Sequence, residues 1–461
     1  MEEKLPRQVP GENKMGVMPV GRLLINMAVP LIAAMLVQAL YNIVDSVFVA
    51  RISESAVTAL SLAFPIQNLQ ISFAVGLGVG VNAMLSKSLG ERNQDMVSYT
   101  ACNGLDLMLL CTVGFMLFGI FGTVPYYQFQ STVPETVNGG IVYTSICCIG
   151  TLGLVVEILG ERLLQGSGHA MHSMISQCVG AITNIILDPI LIFGMFGLPK
   201  MGIAGAAVAT VIGQWLGAVT VIFLNLRYNP EVRFGLRYLK PNKDAMKAIL
   251  AVGLPSVIMM AIGSVMSLGM NMILQSFQET ATGVMGVYFK LQSFVFMPVF
   301  GMNNAAISVI AYNYGARKPE RITKTLKLSC ITCLVVMTAG LLLFQFAPEL
   351  LLNLFDPSPE FLRIGVRALR IISWSFPMAA FGIGLSGSFQ ALGNGIYATI
   401  TSLSRQLLVL LPAAYLLSLT GEVNNVWWSF PIAEVVSLTL TLLLFARIYR
   451  KKIRPLFAQA Q

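Results

Sequence analysis

Apolar runs of about 20 residues recur along the whole chain, and they limit its fold more than any other feature. A helix of that length crosses the hydrocarbon core of a bilayer, where only helices and closed barrels satisfy every backbone polar group. Charged residues make up 11% of the chain, against about 25% in a soluble domain. We therefore predict an all-α integral membrane protein with twelve transmembrane helices. The expected spans are residues 21–50, 55–88, 96–121, 136–161, 170–195, 201–226, 245–275, 280–313, 324–346, 360–388, 395–418 and 425–447.

Landmarks of the first half of the chain recur in the second half at one constant spacing, the one that separates Ala28 from Gly253. The pairs are AVPL and GLPS, AFPIQNL and YFKLQSF, SLGERN and NYGARK, and LLQGSGHAMHSMISQ and SFQALGNGIYATITS. Six spans per copy make the repeats parallel, which predicts two six-helix bundles with a substrate site near the membrane midplane. The expected domains are an N-terminal segment 1–20, an N-terminal lobe 21–226, a linker 227–244, a C-terminal lobe 245–449 and a tail 450–461.

Basic residues concentrate in segments that the span order places on one side of the membrane, including the N-terminal segment, the linker and the tail. The positive-inside rule makes that side cytoplasmic, so both termini are predicted to be cytoplasmic. The arginines within 363–370 fit this orientation least well, and we expect them to snorkel to the outer interface. The net charge of +9 is thus a topology signal, and we expect the lipid bilayer, not nucleic acid, as the partner.

Five carboxylic acids lie inside predicted spans, where a charged side chain costs about 2.5–3.5 kcal/mol. They are Asp45, Asp106, Glu157, Asp188 and Glu434. The counterparts of Asp45 and Asp188 in the second copy are Met270 and Ala413, so the repeat keeps the scaffold without these acids. A residue needed only for folding would recur more often in both copies. We therefore predict that the N-terminal lobe handles cations.

The first span carries a polar stripe that ends in an acid. Gln38, Tyr41, Asn42 and Asp45 are spaced i, i+3, i+4 and i+7, which places them on one helix face. A polar stripe inside a membrane must face protein or water. We expect Gln38, Tyr41 and Asn42, together with Gln67 of the second span, to bind substrate.

The fifth span combines an amide, an acid and a proline. Asn184 and Asp188 are one helical turn apart and share a helix face, and Pro189 removes one backbone hydrogen bond beside the acid. This pattern permits a bend and frees a backbone acceptor. We predict that Asp188 and Asp45 form a shared ion site.

A second charge site is predicted from Lys290 and Glu434. Lys290 lies deep in the eighth span and could pair with Glu434 or another acid, moving when that acid is protonated. The alternative is a lysine that snorkels along its helix. Arg405 is a weaker case of the same kind, and Asp106 is expected to be neutral or paired with a basic group.

No cofactor or metal site is predicted. His169 and His172 lack a third ligand nearby, and Cys330 and Cys333 begin an apolar helix without a partner pair. The GLGVG run at residues 76–80 follows no strand and is better explained by close helix packing than by nucleotide binding. Without a phosphate-binding loop, ATP is not expected to supply the energy.

The chain resembles the multidrug and toxic compound extrusion (MATE) family of cation-coupled efflux transporters over nearly its whole length. The resemblance is carried by LYNIVDSVFVAR, ALSLAFPIQ, GERLLQGSG, and TNIILDPILIFG followed by GIAGAAVAT. It implies that Asp45, Asp188, Asn184 and Glu157 couple transport to protons or sodium. Some branches of the family also use acids in helices seven and ten, which this chain lacks, so coupling through the N-terminal lobe is favoured.

The resemblance implies export of small organic cations by alternating access, by a monomer in the bacterial inner (plasma) membrane. A flippase of the wider superfamily for lipid-linked oligosaccharides is the main alternative. It would need a basic cavity for pyrophosphate, and Lys290 and Arg405 keep that alternative open. An intramembrane enzyme would need paired catalytic groups, and a channel would need a filter-like segment; neither pattern is found.

Overall fold

The computed structural model describes residues 13–355 and 357–459, and within them the chain is helical with no β-strand. This confirms the all-α membrane fold. Ten helices are long and apolar enough to span a bilayer, and two bent pairs bring the total in the described residues to twelve. The helices are α1 (Val20–Ala50), α2 (Glu54–Gly90), α3 (Gln94–Gln130), α4 (Pro134–Ile149 and Thr151–Gly166), α5 (Ala170–Phe193), α6 (Ile203–Tyr228), α7 (Lys243–Gln275), α8 (Glu279–Gly315), α9 (Pro319–Phe346), α10 (Pro359–Ser373 and Phe376–Ala391), α11 (Gly395–Ser418) and α12 (Val423–Ala458).

Helices α4 and α10, at equivalent places in the two halves, are bent, a feature that the predicted spans did not include. The two parts of α4 meet at 45° and those of α10 at 49°. Gly150 marks the bend in α4, and Pro377 lies in the first turn of the second part of α10, where its missing N–H costs nothing. Helix α3 also continues past the predicted end of its span at residue 121, through a wide π turn, as far as Gln130.

The backbone itself repeats at the spacing of the sequence landmarks. Helices α2 and α8 begin and end at equivalent positions of the two copies, Glu54 with Glu279 and Gly90 with Gly315. The left-handed residue after each helix recurs at Arg92 (φ 56°) and Arg317 (φ 54°). Shared backbone irregularities of this kind identify a structural duplication.

The two halves touch through reciprocal contacts at glycines. A methyl group on Gly90 of α2 would overlap the carbonyl oxygen of Tyr312, and one on Gly315 of α8 would overlap that of Lys87. Each contact is the counterpart of the other in the repeat. Helices α2 and α8 therefore meet backbone to backbone at their C-terminal ends, on the side that the sequence predicts to be cytoplasmic.

A short N-terminal segment bridges the halves on the same side. The segment 13–18 contains a one-turn helix, Lys14–Val17. The Asn13 amide donates to the carbonyl oxygen of Ser167 in the first half (3.0 Å), and Arg321 of the second half donates to two carbonyl oxygens of the segment (2.7 and 2.9 Å). We call this segment the N-terminal bridge. Residues 1–12 of the predicted cytoplasmic segment lie outside the described residues.

Candidate functional site

A cavity of about 1470 Å³ lies between the two halves. Helices α1, α2, α4, α5 and α6 line it from the first half, and α7, α8, α10, α11 and α12 from the second. Ligand sites commonly measure about 300–1,000 Å³, so the cavity can accept a drug-sized molecule with water. Seven residues singled out in the sequence line it, namely Gln38, Tyr41, Asn42, Glu157, Asn184, Lys290 and Arg405.

The repeat places equivalent positions on opposite walls. Glu157 and Glu161 of α4 line the cavity, and so do their counterparts in the second copy, Gly382 and Ser386 of α10. The two halves thus contribute the same helix faces with different chemistry. The wall of the first half carries carboxylates at positions where the second half is neutral.

Two glycines make room for the Glu157 carboxylate. A methyl group on Gly180 of α5 would come within 2.9 Å of Glu157 Oε1, and one on Gly217 of α6 would overlap the carboxylate. The glutamate is 9% exposed. The carboxylate is therefore held between α5 and α6 at the cavity wall, a packing that the sequence did not reveal.

Asn184 and Asp188 form a buried pair on α5, as their spacing predicts. With its oxygen accepting from the Thr210 hydroxyl (3.2 Å), the Asn184 amide donates to Asp188 Oδ2 (3.2 Å). Asn184 faces the cavity, whereas Asp188 is fully buried behind it. Helix α5 continues through Pro189 without a break. Asn184 therefore connects the cavity wall to the buried acid.

Asp45 of α1 is buried in the same half as Asp188 of α5. It is 9% exposed, and among the described residues its Oδ1 has no hydrogen-bond partner. Tyr41, Tyr143 and Cys147 surround it within electrostatic range. An unpaired buried carboxylate is costly. The site can lower that cost by taking up a proton or a small cation.

Gln67 lies off the cavity wall, so its expected direct contact with substrate does not fit its position. Its amide donates to the Tyr143 hydroxyl (3.1 Å) and approaches Cys147 Sγ (3.9 Å). These are the same groups that surround Asp45. The sequence placed Gln67 correctly inside the membrane but could not tell that Tyr143 would hold it.

The charges of the second half pair differently from the expected Lys290–Glu434 site. Arg405 Nη1 donates to Glu434 Oε1 at 3.2 Å. Lys290 Nζ instead lies 5.9 Å from the ring centroid of Phe355. Arg405 lies near the start of a π-helical turn in α11, Ser404–Leu410, whose widened geometry is not readable from local sequence.

Asp106 does not line the cavity, and its Oδ2 is buried with no hydrogen-bond partner among the described residues. No basic side chain pairs with it in that part of the chain. The alternative that Asp106 is paired with a basic group is therefore wrong for the described residues.

Arg162 and Glu161 also line the cavity and are buried, and neither was predicted from the sequence as a site residue. Arg162 Nη1 donates to Gln165 Oε1 at 2.8 Å. A methyl group on Gly78 would lie 2.8 Å from Arg162 Cγ, so this glycine lets the arginine pass along α2. The GLGVG run was the available signal, and its expected role in close helix packing is confirmed.

Among the described residues, no three His, Cys, Asp or Glu side chains converge where they could hold a metal ion. The acids of the candidate site in the first half come from α1, α4 and α5, and Tyr41, Asn184 and Thr210 line the cavity. Carboxylate oxygen atoms can accept a proton, and carboxylate and neutral oxygen atoms can ligate a hard cation.

Comparison with known proteins gives consistent matches. The family model described as MatE matches residues 30–190 and 255–416, two segments that begin at equivalent positions of the repeat. The chain is 27% identical to "Probable multidrug resistance protein YoeA" of Bacillus subtilis, covering 92% of this chain and 93% of that protein. It is 26% identical to the multidrug export protein MepA of Staphylococcus haemolyticus (90% of each) and 24% identical to an FAD transporter of Shewanella oneidensis (91% and 92%).

Solved structures share the fold. An outward-facing multidrug resistance MATE family transporter of the MOP superfamily has a TM-score of 0.89 at 24% identity, covering 99% of this chain and 100% of that one. A MOP superfamily transporter from Pyrococcus furiosus, described as having a binding pocket of reverse polarity, has a TM-score of 0.88 at 24% identity, covering 96% and 98%.

Proposed function

The chain belongs to the MATE family of multidrug efflux transporters, and from that premise we propose that it exports organic cations in exchange for protons or sodium. Family membership makes it a multi-pass membrane transporter rather than an enzyme. We further propose that it works as a monomer in the bacterial plasma membrane with both termini cytoplasmic. It would need no cofactor beyond the coupling ion.

One observation carries this proposal: a wall carboxylate and two buried carboxylates lie in the same half. Glu157 faces the cavity, and Asp45 and Asp188 are buried in the same half. Asn184 stands between the cavity and Asp188. In a cleft of low dielectric constant, such charges attract a lipophilic cation far more strongly than they would in water.

Exchange follows from competition for the same negative charge. When a proton or sodium ion binds at Asp45 and Asp188, the negative potential that holds the cationic substrate falls and the substrate leaves. When the ion leaves on the other side, the charge returns and a new substrate can bind. Because coupling is reciprocal, a bound substrate weakens ion binding by the same factor.

Alternating access requires the cavity to open on each side in turn, and the arrangement described supports an outward-open state. The halves meet at Gly90 and Gly315 and are linked by the N-terminal bridge on the side with the basic segments. The cavity extends along α1 toward Val47 and Ala50, at the opposite end of that helix from the bridge. Rocking of the halves would close the cavity at the Val47 and Ala50 end and open it at the end where the bridge lies.

The flippase alternative is less well supported. On the wall of the first half, a pyrophosphate would meet the two carboxylates of Glu157 and Glu161 and the guanidinium of Arg162, a set with net negative charge. Arg405, which kept this alternative open, is paired with Glu434. Only Lys290 of these two cations faces the cavity without a carboxylate partner among the described residues.

The test uses purified protein in inside-out proteoliposomes with a fluorescent lipophilic cation outside. A pH gradient (acidic inside) and a sodium gradient are imposed separately. We expect dye accumulation under one of the two gradients, its collapse by the matching ionophore, and its loss in Glu157→Gln. Accumulation under neither gradient would rule out ion-coupled export of organic cations.

A further inference from the structure

The last helix continues beyond its apolar part into a short basic tail that remains folded. The apolar part, Ser429–Ile448, has 20 residues and a length of about 30 Å, which matches the thickness of the hydrocarbon core. A π turn, Tyr449–Ile453, and a final short helix, Arg454–Gln459, follow it. The tail therefore begins at the depth of the lipid headgroups.

Packing fixes the tail against the second half of the protein. Ile448 and Ile453 are buried in its apolar core. Lys452 Nζ donates to the carbonyl oxygen of Leu392, just past the end of α10 (2.6 Å), and lies 6.0 Å from the ring centroid of Tyr314, at the end of α8. The same end of α8 donates a hydrogen bond to the N-terminal bridge. The tail is thus an anchored surface on the side of the bridge.

The exposed side of this tail carries four basic side chains, which we call the basic face: Arg447, Arg450, Lys451 and Arg454. Their spacing of i, i+3, i+4 and i+7 places them on one side of a helix, and all four are exposed. Among the described residues, none has a carboxylate within salt-bridge distance. The sequence contains no Asp or Glu after Glu434. The described part of the chain therefore does not neutralise the basic face.

A topology signal alone does not require this arrangement, because the positive-inside rule needs only an excess of basic residues in a segment. The linker meets that condition with its basic residues interspersed with Glu231 and Asp244. The tail instead concentrates its charge on one face at headgroup depth. Beside that face lies Tyr449, partly buried and 6.0 Å from Phe445 between ring centroids, and tyrosine is enriched at membrane interfaces.

We propose that the basic face binds the phosphate headgroups of anionic phospholipids such as phosphatidylglycerol. Guanidinium groups bind phosphate oxygen atoms in pairs, and three of the four side chains are arginines. Attraction between basic residues next to a transmembrane helix and anionic lipid falls off within a Debye length, so it acts on charges held at the surface, as these are. The basic face lies outside the cavity, so this site is independent of the substrate and the coupling ion.

The test compares lipids that differ only in the headgroup. The purified full-length protein in neutral detergent is titrated with phosphatidylglycerol, with phosphatidylcholine of the same acyl chains and with inorganic phosphate, and binding is measured by microscale thermophoresis. We expect phosphatidylglycerol to bind at least about tenfold more tightly than phosphatidylcholine, and phosphate not to compete at equal concentration. This preference should be lost in the fourfold variant Arg447→Gln, Arg450→Gln, Lys451→Gln and Arg454→Gln.

A second fourfold variant removes the same charge from the same side of the protein. It combines substitutions at exposed linker residues, Arg227→Gln, Arg233→Gln, Arg237→Gln and Lys240→Gln. This control should keep the preference for phosphatidylglycerol. Equal loss in the control would mean that only the total charge matters, and an unchanged preference in the tail variant would mean that lipid binds elsewhere. Either result would overturn the proposal.

A charge-conserving variant separates loss of charge from loss of structure. Arg447→Lys, Arg450→Lys, Lys451→Arg and Arg454→Lys together should retain the preference for phosphatidylglycerol, because the face stays basic. Loss of the preference in this variant would contradict a site built on charge. Competition by inorganic phosphate as effective as that by the lipid would show a site for free phosphate and would also overturn the proposal.

Discussion

The carboxylate of Glu157 occupies the space that a side chain at Gly217 would need. This contact fixes an acid of the cavity wall against α6, and it gives the first prediction. Gly217→Ala should displace the carboxylate and lower gradient-driven transport at least about tenfold, since misplacing a binding group by about an ångström can cost that much. Transport is measured at equal membrane abundance.

A matched alanine variant controls for the glycine substitution itself. A methyl group on Gly286 of α8 would meet no atom within 4 Å, and that residue is exposed. Gly286→Ala should therefore transport as the wild type does. Wild-type transport in Gly217→Ala would show that the position of the Glu157 carboxylate does not matter.

The Arg405–Glu434 pair is expected to stabilise the second half rather than bind substrate. Arg405→Gln leaves Glu434 without its partner and should destabilise the protein by about 2 kcal/mol, because a buried charge without a partner is costly. The double variant Arg405→Gln with Glu434→Gln should regain most of that stability. The stability of the single variants and of the double variant is measured by heating the protein in detergent and detecting the remaining folded fraction by size-exclusion chromatography. If the stability losses of the two single variants simply add up in the double variant, the two residues do not act as a pair.

The N-terminal bridge is expected to hold the halves together on the side predicted to be cytoplasmic. Arg321→Ala removes two hydrogen bonds to the bridge and should increase opening at that end. Ser308→Cys, at a buried position between α8 and Asn82 of α2, reports opening in a background without the native cysteines. A membrane-impermeant maleimide should react faster after Arg321→Ala.

An arginine away from the bridge provides the comparison. Arg363 forms an exposed contact with Glu360 at 4.0 Å. Arg363→Ala should leave the labelling rate of the reporter cysteine unchanged. If Arg321→Ala also leaves it unchanged, the bridge does not control opening.

Glu231 accepts a hydrogen bond from Asn13 of the N-terminal bridge. The stability that this contact region contributes should fall as pH rises through the range where Glu231 ionises. Burial raises the pKa of Glu231, outweighing the hydrogen bond from Asn13 and the charge of Lys14, which lower it. A carboxyl group whose pKa is raised on folding favours the folded state at low pH, and this contribution is lost as pH rises through the folded pKa. Glu231→Gln should therefore raise thermal stability at neutral pH.

The pH profile gives the check on Glu231. Thermal midpoints measured from about pH 5 to about pH 8 should fall less steeply in Glu231→Gln than in the wild type. Because the glutamine oxygen can still accept from Asn13, the hydrogen bond itself is retained. Identical slopes in the two proteins would contradict this account of the bridge.

The spans and the repeat could be predicted because hydropathy and internal similarity can be detected in the sequence itself, without knowing how the helices pack. The face shared by Asn184 and Asp188 follows from helical periodicity alone, and the structure pairs them. The partner of Glu434 could not be predicted, because it depends on how α11 and α12 pack and on a π turn at Arg405. The contacts of Gln67 could not be predicted for a similar reason, since they depend on how α2 and α4 pack.

Glycine contacts explain most of what the sequence did not reveal about the site. Gly217 and Gly180 admit the Glu157 carboxylate, and Gly78 admits Arg162. A glycine in an apolar helix signals close approach but does not say which side chain approaches it. That information exists only once the helices are packed.

The central claim is that Asp45 and Asp188 couple the ion to the substrate. It is tested most directly with Asp45→Asn in proteoliposomes, comparing gradient-driven uptake with substrate exchange in the absence of any gradient. The account predicts that gradient-driven uptake falls to background while exchange persists, with Asp106→Asn behaving as the wild type. A wild-type ratio of gradient-driven uptake to exchange in Asp45→Asn would contradict it.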